Sequence, residues 1–86
     1  MTQYTLEPNV RWCVGRFGIT LSDGHGVTRE LAYPDAAVWD LISRGYPFAK
    51  VVSMLTSIAS LDAAASEAVV RSALEQWASG GFLEQV

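Results

Sequence analysis

Eighty-six residues make one domain, and half of them are apolar while 17 % are charged, enough for a packed core without staples. A chain this short buries only about 60–65 % of the surface its unfolded form exposes, so the core must be efficient. Nine acidic residues outnumber six basic ones for a net charge of −3, and the basic residues (Arg11, Arg16, Arg29, Arg44, Lys50, Arg71) are scattered along the chain. A nucleic-acid partner would call for a basic stripe that displaces counterions from phosphates, so none is expected.

Cys13 is alone, which excludes an internal disulfide and points to a reducing compartment. The opening Met1-Thr2-Gln3-Tyr4 has neither the basic nor the apolar region of a secretory signal. No apolar run approaches the ~20 residues that span a bilayer. The expectation is a cytoplasmic protein of one domain, 1–86, away from membranes. Where the interior cannot hold every large apolar residue, some of Trp12, Phe17, Tyr33, Tyr46 and Phe48 would lie at the surface and mark partner sites.

In chain order, the first third reads as strands. Val10 to Val14 alternates, with Val10, Trp12 and Val14 on one face. Gly15-Arg16 is a turn candidate, and Phe17 to Leu21 gives a second strand with Phe17, Ile19 and Leu21 together. Ser22-Asp23-Gly24-His25-Gly26 is the clearest turn, because Asp-Gly supplies the positive φ of a hairpin. A third strand runs from Val27 to Tyr33, with Val27, Arg29, Leu31 and Tyr33 on one face and Thr28, Glu30 and Ala32 on the other. These three form an antiparallel meander.

The remainder is helical. Pro34 suits a first helical turn, with Asp35 near the positive end of the dipole. Val38, Trp39, Leu41 and Ile42 share a face, and Gly45 closes the helix after Arg44. Pro47 opens a second helix carrying Val51, Val52, Met54, Leu55 and Ile58, and Ser60-Leu61-Asp62 breaks it. A third starts near Ala63 to Ser66, with Ser66 a candidate cap and Glu67 just inside. Val70, Leu74 and Trp77 form its core stripe, Gly80-Gly81 ends it, and Phe82-Leu83 is an apolar tail able to pack back. The order is β-β-β-α-α-α, an α+β fold in which two helices joined by the short Arg44 to Pro47 turn, followed by a third, resemble a helix-turn-helix with a sheet attached.

Catalytic constellations are missing from the sequence. His25, the one histidine, lies between two glycines and reads as a solvated turn residue. Cys13 and His25 fall short of the four ligands of a zinc site, and Cys13 has no histidine base nearby. Gly24-His25-Gly26 lacks both the lysine and the following helix of a phosphate loop. Asp35 and Asp40 read as a dipole partner and a solvated face, and Glu67 with Arg71, four apart, as a surface ion pair. No enzyme, metal or cofactor is expected. What remains is shape: the third strand has no proline, so every residue from Val27 to Tyr33 can donate to a ladder. Arg29 and Glu30 also suit an edge guarded against aggregation, and the residues alone favour guarding over binding.

From Tyr4 to Leu83 the chain resembles the PqqD-like family of RiPP recognition elements. The likeness lies in Leu6-Glu7-Pro8-Asn9-Val10-Arg11-Trp12, close to the family's proline-x-Val-Arg entry into the first strand. It continues in Ala36-Ala37-Val38-Trp39-Asp40-Leu41-Ile42, and in the run from Val69 through Leu74 and Trp77 to Gly80-Gly81-Phe82-Leu83. Two departures stand out: Tyr33-Pro34 occupies a junction where the family often has Asn, and the second helix opens Tyr46-Pro47-Phe48 instead of on Thr or Ser.

The resemblance implies a winged-helix-like fold, a three-stranded antiparallel meander followed by three helices, that acts as a peptide chaperone binding the leader of a ribosomally made precursor peptide. It would present that peptide to a modifying enzyme such as a radical-SAM protein, or to a protease or cyclase of the lasso type. It further implies a leader lying as a strand in the groove between the third strand and third helix. The implied contacts are Val27, Thr28, Arg29, Glu30, Leu31, Ala32 and Tyr33 through the backbone, with Val69, Arg71, Ala73 and Gln76 holding side chains. Two other readings stay open: a winged-helix DNA binder, and a structural subunit docking to a larger enzyme through Trp12, Phe17 or Phe48. A homodimer through strand edges is related to the last of these.

Overall fold

The computed structural model describes residues 4–85, the side chain of Gln85 excepted. Five short strands and three helices follow the order β1 (Tyr4–Leu6), β2 (Arg11–Val14), β3 (Ile19–Ser22), β4 (Thr28–Leu31), α1 (Asp35–Ser43), α2 (Phe48–Ala59), α3 (Ala63–Ser79) and β5 (Leu83–Gln85). The expected α+β build is present: a β2-β3-β4 meander leads into three helices. A second sheet, of β1 and β5, joins the two ends of the described chain, pairing Tyr4 with Gln85 and Leu6 with Leu83. The apolar tail does pack back, with Phe82 and Leu83 buried, and it does so as a strand.

The meander is shorter than the alternation suggested. Phe17 belongs to the β2–β3 turn and is 87 % exposed, instead of sharing the face of Ile19 and Leu21, which are buried. That turn closes through Gly15 N–H donating to the Gly18 carbonyl at 2.7 Å. Gly18 itself answers a close approach, since a Cβ there would stand 1.9 Å from the Leu31 carbonyl oxygen. In the β3–β4 turn one Asp23 carboxylate oxygen accepts from the His25 N–H at 2.7 Å and the Val27 N–H at 3.1 Å. Gly24 and Gly26 there take φ of +82° and +94°, the left-handed region that favours glycine. Val27 and Tyr33 flank β4 and stand exposed.

Helix ends follow their local chemistry with one correction. The cap of α3 is Asp62, whose carboxylate accepts from Ala65 N–H at 2.7 Å; Ser66 lies in the first turn, fully buried, its hydroxyl 2.9 Å from that of Thr56 on α2. Asp62 wins because its side chain sits outside the helix on extended backbone, where it can reach back to an orphan N–H. Ser60 ends α2 with φ of +55°, and Gly45 follows α1 at +86°.

The core lies between the helix-facing side of the meander and the three helices. Ile19, Leu21 and Leu31 meet Val38, Trp39, Leu41, Val51, Leu55, Val70, Leu74 and Trp77 there. Trp39 is its centre, edge-on to Trp77 at 5.2 Å and to Trp12 at 5.7 Å between ring centroids. Such T-shaped pairs add about 0.5–1.5 kcal/mol beyond burial. The Trp39 indole N–H is buried without a hydrogen-bond partner among the described residues.

Candidate peptide-binding groove

β4 pairs with β3 on one side only among the described residues, so its other edge is open. Which groups that edge presents follows from the ladder. The Asp23 N–H donates to the Val27 carbonyl at 3.1 Å, and the register pairs Leu21 with Arg29 and Ile19 with Leu31. In antiparallel pairing alternate residues face the partner. Val27, Arg29 and Leu31 therefore point their backbone groups at β3, while Thr28 and Glu30 turn theirs outward. Of the seven residues expected to meet a peptide, Thr28 and Glu30 are the two within β4 that turn both backbone groups outward. Ala32, farther along, already gives its carbonyl to the Ala36 N–H at 2.9 Å.

Side chains alternate in the same rhythm. Leu31 enters the core, Arg29 leans toward α3 half-buried, and Thr28 and Glu30 stand exposed on the outer face. The Arg29 guanidinium donates to Gln76 Oε1 at 2.9 Å, and Gln76 Nε2 donates to Ser72 Oγ at 3.2 Å. This chain ties β4 to α3 and forms a shallow groove lined by Arg29, Glu75, Gln76, Ser79 and Gly80. At the far end of β4 the Tyr33 hydroxyl lies 3.4 Å from the Ile58 carbonyl at the end of α2. Because Arg29 meets the C-terminal half of α3 while Tyr33 meets the element before its start, β4 and α3 run antiparallel.

The four α3 positions expected to contact a peptide divide. Gln76 lies in the groove and is exposed. Val69, two helical turns earlier on the same stripe, is half-buried and packed against the core. Ala73 is 2 % exposed, which corrects its placement on an open face: it sits between Val70 and Trp77 on the buried side. Arg71 also departs from the expectation. It forms the ion pair with Glu67 at 2.7 Å, and its guanidinium lies 5.3 Å from the centre of the Phe48 ring on α2, so it faces α2 instead of β4. Ser72, Glu75 and Ser79 were not foreseen. Counting three or four residues either side of Gln76 would have found Ser72, Ser79 and Gly80.

The meander has a second free edge, on β2. There Gly15 bonds Gly18, so Trp12 and Val14 turn their backbone groups outward by the same alternation. All four β2 residues are exposed, and Trp12 leans edge-on to Trp39 of α1. His25 and Cys13 are both exposed, and no cluster of three or more metal-ligating side chains exists among the described residues. No helix among them is long and apolar enough by itself to cross a membrane.

No protein-family profile matches the chain, and no curated protein matches it either. Among solved structures, it is similar to lasso peptide synthetase B1 complexed with the leader peptide. The TM-score is 0.86 at 21 % identity, over 94 % of this chain and 96 % of that one. At that identity the likeness speaks for the fold, which the two chains share nearly end to end.

Proposed function

We propose that this chain binds the leader segment of a ribosomally made precursor peptide, as a strand added to β4 beside α3, and hands it to a modifying enzyme. The observation that carries the reading is the open edge of β4 backed by a helix wall, with Thr28 and Glu30 directing N–H and C=O into the open. Strand addition draws affinity from main-chain bonds and specificity from alternate side chains entering the groove. The shared fold with a synthetase solved together with a leader peptide supports the same reading. Ordering a flexible leader costs conformational entropy, so moderate affinity is expected. Membership of the PqqD-like family, a non-catalytic role, and a radical-SAM, protease or cyclase recipient belong to this proposal.

Synthetic peptides covering the leader of a short precursor encoded beside this gene test it. Backbone amide shifts should concentrate on Thr28 to Leu31 and on Ser72 to Gly80. Absence of shifts in both segments for every candidate leader would end the proposal. A second reading, a subunit that docks to a larger enzyme, is favoured by Val14 and Phe17, which are 77 % and 87 % exposed at the far end of the meander. Co-purification with a neighbouring enzyme, abolished by Phe17→Ser and unaffected by leader, would select it.

A further inference from the structure

The open edge of β4 has different chemistry toward its two ends. At one end stands Arg29. Its guanidinium is held by a neutral partner, Gln76, which Ser72 orients in turn, and among the described residues no carboxylate lies within ion-pair distance of it. The two ion pairs among the described residues engage Arg44 and Arg71, so Arg29 carries its charge outside any of these pairs, oriented by Gln76. Glu75 lines the same stretch without pairing to it, and Glu30 points to the outer face of the sheet. At the other end Tyr33 is 60 % exposed and Ile58 51 % exposed, large apolar surfaces held together by the Tyr33 hydroxyl contact. Val69 continues the apolar wall on α3.

Resting on the strand-addition reading, we infer that the groove selects an extended peptide bearing a carboxylate and a large apolar side chain about four residues apart. Arg29 would take the acid and Tyr33 with Ile58 the apolar group. Arg29 and Tyr33 stand four positions apart, and four residues of an extended peptide span roughly 13 Å. Side chains entering the groove from one face of an added strand recur every second residue, so a spacing of four keeps both on that face. A guanidinium recognises a carboxylate through paired N–H donors and a fixed plane, which a mobile surface charge does not provide. Glu75 opposes the acid, and this tunes affinity downward without removing the preference.

A display library of random twelve-residue peptides, panned against the full chain, supplies the probe. Binders should carry Asp or Glu three to five residues from Tyr, Trp, Phe, Leu or Ile. Replacing that acid by its amide in a purified peptide should weaken binding at least tenfold, a readout independent of any variant's folding. Arg29→Glu should reverse the preference toward Lys or Arg, Glu75→Gln should tighten the acidic peptides several-fold, and Ile58→Asp should weaken them. Peptides that shift the Thr28 to Leu31 amides yet show no acidic preference, and bind Arg29→Glu equally well, overturn the inference and leave strand addition standing. A library yielding no peptide that shifts those amides overturns both.

Discussion

Arg29 on β4 and Gln76 on α3 lie 47 positions apart in sequence and are joined by one hydrogen bond of 2.9 Å. That bond bridges the sheet edge and the helix at the groove that both line. It is exposed and adds only about 1 kcal/mol or less to stability. Its consequence is geometric. Gln76→Ala should leave thermal stability nearly unchanged while freeing the Arg29 guanidinium, and leader affinity should fall by about three- to tenfold in a direct titration.

The alternation of backbone groups along β4 gives a sharper pair of variants. Glu30→Pro removes an N–H that faces the open edge, whereas Arg29→Pro removes one that bonds to β3. Proline is tolerated at an edge and disrupts a ladder. Glu30→Pro should therefore stay folded by circular dichroism and lose at least about tenfold in leader affinity, or about 1.4 kcal/mol. Arg29→Pro should melt markedly lower or fail to fold.

The cap assignment on α3 is checked by two substitutions. Asp62→Ala removes the carboxylate that accepts from Ala65 N–H and should cost about 0.5–2 kcal/mol. In a domain of this size each kcal/mol lowers the melting temperature by about 4–8 °C. Ser66→Ala removes no cap; it leaves the Thr56 hydroxyl its bond to the Val52 carbonyl, and the cost should stay near or below 1 kcal/mol.

In the core, Leu55 is fully buried, and Leu55→Ala should cost about 2–5 kcal/mol, a large part of the stability of so small a domain. Trp39→Phe loses volume and both edge-on contacts, yet it also removes a buried N–H that has no hydrogen-bond partner among the described residues. It should therefore destabilise clearly less than Trp39→Ala in denaturant unfolding.

Much of this architecture was legible in the residues. Asp23-Gly24 and Gly15 marked the two turns, and the helical stripes of Val38-Trp39-Leu41 and Val70-Leu74-Trp77 marked the core. Pairings between distant segments were not legible. β1 and β5 are three residues each, too short for alternation to declare them, and no turn signal links residues 4 and 85. Phe17 misled because one further step of alternation looked like strand, while Gly15 and Gly18 had already committed it to the turn. On α3, periodicity identified the buried stripe but not its width, so Ala73 was placed outside it. Arg71 could serve a peptide or a neighbour, and the ring of Phe48 with the carboxylate of Glu67 claimed it. The polarity of the groove depends on which residue of α3 meets Arg29, and only the folded chain shows that.

Hydrogen exchange at the Thr28 and Glu30 amides tests strand addition at β4 most directly. Both should exchange rapidly in the free chain and become protected when the leader binds, while the Arg29 amide, already bonded to β3, changes little. A bound leader that left Thr28 and Glu30 unprotected, or protected Trp12 and Val14 on the β2 edge instead, would contradict the account.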